Sequence, residues 1–178
     1  GTVTSAPAGI DCGSDCSENY PQGQSVTLTA TPDPTSTFTG WSGACTGTEA
    51  CQVTLEEANS VTASFALKRY TVTATAGANG SITPTTVQVA HGATTSFTVT
   101  PNTGYSASVT GCGGSLSGTT YTTGAITAAC AVTASFTQNS YTVTATAGTH
   151  GSISPTTVQV AHGATTSFTV TPDTGYSA

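Results

Sequence analysis

The string YTVTATAG at residues 70–77 recurs letter for letter at 141–148. Within it Tyr70, Val72 and Ala74 alternate with Thr71, Thr73 and Thr75. Apolar residues on a period of two are the pattern of a half-buried antiparallel strand, and β-branched Thr and Val favour that conformation. A helix would need apolar residues three and four apart, which this stretch does not offer. It therefore reads as a strand, and its return 71 residues later makes it the first strand of a repeat.

The repeat extends outward from both copies. Between 70–107 and 141–178, four of 38 positions differ: Ala78/Thr149, Asn79/His150, Thr83/Ser154 and Asn102/Asp173. Residues 1–67 are a diverged copy, since QGQSVTLTATP at 22–32 aligns with HGATTSFTVTP at 91–101 and SVTASF at 60–65 with AVTASF at 131–136. Three modules follow, at 1–67, 70–137 and 141–178, with junctions at 68–69 and 138–140. The middle module reads as five strands: 70–76, 81–83 with an extension past Pro84 to Val89, 94–100, 105–110 and 130–137. Asn79-Gly80, His150-Gly151, His91-Gly92 and His162-Gly163 mark tight turns. The expected core is thin: Val72, Ile82, Val89, Phe97, Val99, Tyr105, Ile126, Val132 and Phe136. The fold class is all-β, as tandem small antiparallel modules stapled by disulfides.

Composition narrows the function. Thr and Ser supply 62 of 178 residues, whereas Asp, Glu, Lys and Arg together supply 10. Seven of the eight acidic residues precede residue 58, and Lys68 and Arg69 are the only bases. Two bases cannot neutralise a phosphate backbone or an anionic lipid surface, so neither nucleic acid nor membrane insertion is expected. No apolar run of 18 residues exists. From 70 to 140 there is no Asp, Glu, Lys or Arg. Stability of that stretch is therefore expected to vary little between about pH 4 and 9. An enzyme needs titratable groups, and one His, three Tyr and paired Cys do not make a catalytic constellation. No catalytic residue, no cofactor and no enzymatic activity are expected.

Six cysteines without Cys-x-x-Cys spacing point to three disulfides and an oxidising, extracellular compartment. In the middle module only Cys112 and Cys130 can pair. In the first, three pairings are open, and Cys12–Cys16 with Cys45–Cys51 is preferred because each closes a short Gly-containing turn. Asp11, Asp15 and Glu18, beside Asn19, are the candidate calcium ligands, against the plainer reading of a disulfide-closed polar turn. Trp41, near Phe38, is the candidate ligand contact, against the plainer reading of a core residue. His91 and His162 read as turn residues.

The strings GIDCGSDCSENYPQGQSVTLTATP, FTGWSGACTG and VTASF resemble the divergent internalin-type B-repeat. VTGCGGSLSGTTYTTGAITAAC followed by AVTASF resembles a second flavour of the same repeat. The resemblance spans nearly the whole chain. It implies a small β-grasp-like module or small sandwich, arrayed in tandem in secreted or surface-anchored bacterial proteins, with no activity of its own. A structural stalk or filament element at the bacterial cell surface is the function it implies, with an adhesive module binding a glycan or host protein as the alternative. Its partners would be copies of itself, adjacent repeats, or a surface or glycan ligand.

The first module has no counterpart of YTVTATA, and the third has none of 112–130 or of the last strand. Unpaired strand edges are expected at both, filled by neighbouring repeats of a longer array or by strand addition between subunits.

Overall fold

A computed structural model describes all residues, Gly1–Ala178, and contains strands and turns but no helix. The first module holds β1 (Thr2–Ala6), β2 (Asp11–Cys12), β3 (Ser25–Thr31), β4 (Ser36–Gly43), β5 (Cys51–Thr54) and β6 (Val61–Leu67). The second holds β7 (Arg69–Ala76), β8 (Gly80–Thr83), β9 (Thr86–Ala90), β10 (Ser96–Pro101), β11 (Tyr105–Thr110), β12 (Ser115–Ser117), β13 (Thr120–Thr122) and β14 (Cys130–Gln138). The third holds β15 (Ser140–Thr144), β16 (Gly151–Ser154), β17 (Thr157–Ala161) and β18 (Thr169–Pro172). The chain divides into two compact units, one of Gly1–Tyr70 with Ala90–Gly92, the other of Thr71–Val89 with Ala93–Ala178.

In the first unit a sheet of order β2-β1-β3-β5 lies with the two-stranded antiparallel sheet β4–β6. Alternation along β3 turns Val26 and Leu28 inward, and these meet Trp41 of β4 and Cys51 of β5 in a buried cluster. The disulfides Cys12–Cys16 and Cys45–Cys51 close its two polar loops. The unit is small, so each staple replaces stabilisation that a larger core would supply.

The second module forms two four-stranded sheets, β12-β13-β10-β8 and β11-β14-β7-β9. Phe97, Val99, Ile82 and Tyr121 are buried on the first, and Val72, Ala74, Val89, Val132 and Ala134 on the second. Disulfide Cys112–Cys130 ties the end of β11's loop to the start of β14. Two features differ from the sequence-based expectation. Residues 81–89 do not form one strand: Pro84, which has no N–H to donate, separates β8 from β9. The β7–β14 pair is parallel, with Val132 beside Ala74, whereas all-antiparallel pairing was expected. The first and last strands of a module can lie parallel because the whole of β8–β13 serves as their crossover.

Tyr105 and Phe136, expected in the core, are only half-buried, while Ala74, Ala134 and Tyr121 are fully inside. Tyr121 is buried without cost because its hydroxyl donates to the Gly111 carbonyl.

The third module consists of two two-stranded sheets, β15–β17 and β16–β18. Its residues repeat those of the second almost completely, yet their burial does not. Val143 and Val170 are 38% and 53% exposed, where the equivalent Val72 and Val99 are both at 0%. Amides of β15 and β18 are accordingly expected to exchange with solvent at least a hundredfold faster than those of β7 and β10, as measured by hydrogen exchange, because local opening there uncovers little apolar surface. Equal protection in the two sets would contradict the exposure of Val143 and Val170.

Candidate functional site

Trp41 lies on β4 and is 7% exposed. Its indole Nε1 donates to the Glu49 carbonyl at 2.9 Å, and its ring meets Phe38 edge-on at 5.0 Å between centroids. Three residues apart on a regular strand, Phe38 and Trp41 would face opposite sides. A bulge between Phe38 and Gly40 inserts one extra residue and brings both rings to the core side. A sugar-stacking platform needs an exposed aromatic face, and Trp41 instead packs in the core beside Val26, Leu28 and Cys51.

The acidic loop is organised by its own backbone. Asp11 and Asp15 exchange backbone hydrogen bonds at 3.0 and 2.9 Å, so the Cys12–Cys16 bridge sits on a tight turn. Asp15 Oδ1 accepts from the Ser17 amide, and Glu18 Oε1 accepts from the Asn19 amide. The structure gathers no group of three His, Cys, Asp or Glu side chains suited to an ion, so Asp11, Asp15 and Glu18 do not converge as calcium ligands.

The histidines have a structural position that turn chemistry alone does not reveal. His91 packs against Tyr70 and His162 against Tyr141, at 5.8 and 6.1 Å between ring centroids. The His91 amide donates to the Lys68 carbonyl, and the Lys68 amide to the Thr35 carbonyl, each at 2.8 Å. In the next copy the His162 amide donates to Asn139, and Asn139 to Gly104, again at 2.8 Å. The same pair of hydrogen bonds thus recurs at both junction segments. A sequence signal for this exists in hindsight: Tyr70 precedes His91 by the same interval as Tyr141 precedes His162.

Gly104 makes the second junction possible. Its φ is +82°, and a Cβ there would stand 2.1 Å from His162 Cδ2. Gly104→Ala is expected to cost about 1–3 kcal/mol from backbone strain, and to displace the His162 ring as well. The measurement is the chemical shift of the His162 and Tyr141 ring protons together with thermal stability. Unchanged shifts at undiminished stability would contradict this packing.

A concavity of about 1000 Å³ lies in the first unit, between the sheet and the β4–β6 pair. Val26 and Leu28 form part of its floor, Val61, Ala63 and Phe65 of β6 one wall, and Glu56 and Glu57 one end. β6 pairs only with β4, so its other edge carries no strand. Val61 and Ala63 are half-buried, while their counterparts Val132 and Ala134 on β14 are completely buried. In the second module β7 runs beside β14, with Ala74 level with Val132 and Ala76 level with Ala134.

A family model described as the divergent InlB B-repeat domain matches three tandem regions, at residues 1–69, 70–140 and 141–177. These limits fall at the junction segments that the hydrogen bonds of Lys68 and Asn139 define. No curated protein and no solved structure matches the chain.

Proposed function

Because the chain belongs to the divergent InlB B-repeat family, we propose that it is a structural repeat region of a secreted bacterial surface or filament protein, a stalk or fibre element without catalytic activity. The observation that supports this best is the recurrence of one junction chemistry. Lys68 is held between Thr35 and His91, and Asn139 between Gly104 and His162, by backbone hydrogen bonds of equal length. Backbone bonds of this kind tolerate drift in side chains, so copies can diverge as the first has while the connection persists. The disulfides and the scarcity of charge suit an element that must keep its form outside the cell.

Negative-stain electron microscopy of the native material is the test. A surface fringe or continuous fibres are expected, and dispersed compact particles would overturn the reading. The absence of activity has its own check. A panel of hydrolase and lyase substrates is expected to show background turnover only, and turnover abolished by His91→Ala would refute it.

A further inference from the structure

We infer that Asn79 is a site of self-modification: attack by the Gly80 amide nitrogen converts its side-chain carboxamide to a carboxylate through a cyclic imide. The inference goes beyond the structural reading above and does not depend on it.

The turn between β7 and β8 supplies both reacting groups. Asn79 is exposed there with φ of +70°, a left-handed conformation that Asn adopts more readily than most residues. Gly80, next in the chain, has no side chain to obstruct the approach of its nitrogen to Asn79 Cγ. Gly80 lies opposite Pro101, and the Asn102 amide donates to the Asn79 carbonyl at 2.9 Å. In an antiparallel ladder that bond marks Gly80 and Pro101 as a pair that exchange no hydrogen bonds, so the Gly80 N–H points away from β10. β8 is the edge of its sheet, and no strand lies on that side to engage the group.

The fold fixes the glycine and leaves the asparagine free. A Cβ at residue 80 would run into the Phe136 ring, so packing keeps that position without a side chain. The turn itself does not demand Asn, since His150 holds the same place in the third module with φ of +67°. The other asparagines, Asn19, Asn59, Asn102 and Asn139, are each followed by a residue with a side chain.

The conversion balances with water as its only added reactant. The Gly80 nitrogen loses its proton and bonds to Cγ, the carboxamide C–N bond breaks, and ammonia leaves. Water then opens the imide at one of its two carbonyls. Opening at Cγ gives aspartate, and opening at the main-chain carbonyl gives isoaspartate, whose main chain runs through Cβ and Cγ. Either product is the first carboxylate between residues 70 and 140.

The test incubates the 178-residue chain at about pH 8.5 and about pH 5, beside a synthetic peptide of residues 75–84, and follows both by mass and peptide mapping. A gain of about 1 Da at residue 79 is expected, with isoaspartate, detected by enzymatic methylation of its carboxylate, among the products. The gain should be about tenfold or more faster than at any other asparagine, because only Gly80 presents a nitrogen without a neighbouring Cβ. It should be faster at the higher pH, because the attacking nitrogen must give up its proton. Asn79→His, the residue that the third module carries, should abolish it. No gain at residue 79 over the time that converts the peptide overturns the proposal. So does a gain no faster than at the other asparagines, or one that yields aspartate alone, which would mean direct hydrolysis without the imide.

Discussion

Phe97→Ala is expected to lower the stability of the second module by about 3–5 kcal/mol. Phe97 is 1% exposed on β10, between Tyr121 of β13 and the β8 side of the same sheet. Removing the ring loses its transfer free energy and leaves a cavity that a module with so few core residues cannot refill by rearrangement. The repeat supplies an internal control through Val99 and Val170, which are chemically equivalent but 0% and 53% exposed. Val99→Ala should cost about 2 kcal/mol and Val170→Ala about 0.5 kcal/mol or less. Hydrogen exchange of β10 and β18 amides reads each module separately, which a single melting curve would not. Equal losses at the two valines would show that the third module buries its core as the second does.

The strands of the second module were legible because each carries its period openly. Tyr105–Thr110 was bounded correctly from alternation alone, and β7, β10 and β14 to within two residues. β12 and β13 were missed. At three residues each they are too short to display a period, and they were hidden in the Gly-rich stretch before Cys130. Their consequence was also missed, for Tyr121 is the largest fully buried side chain and pairs across from Phe97. Parallel pairing of β7 with β14 left no mark in either strand. Both bury one face only, so their composition is that of an antiparallel pair.

The candidate residues were legible as chemistry and not as geometry. Trp41 could be exposed or buried as long as the bulge after Phe38 was unknown, and a bulge is a property of pairing rather than of one strand's composition. The acidic residues of 11–18 suggested an ion because they are close in sequence. Their backbone turn orders the loop without bringing them together.

Removing the Cys112–Cys130 bridge is the second large effect, expected at about 3 kcal/mol. The two cysteines are 18 residues apart, and between them lie β12, β13 and the buried Ile126. Opening the loop gives the unfolded chain freedom that the bridge denies it, and the longer the loop the larger that term. The same model assigns about 2 kcal/mol to each of the shorter loops closed by Cys12–Cys16 and Cys45–Cys51. Their separations are 4 and 6 residues. A double Cys112→Ser, Cys130→Ser variant should therefore lose protection first in β13 and at the start of β14, with the first module unaffected. Mass spectrometry supplies the premise: reduction of the intact protein should add about 6 Da, two hydrogens for each bridge. A smaller gain would mean that a bridge was absent at the outset. If the gain is full and the serine variant retains its stability, the constraint must lie in the β11–β14 pairing itself, which holds the same two chain segments together without the bond.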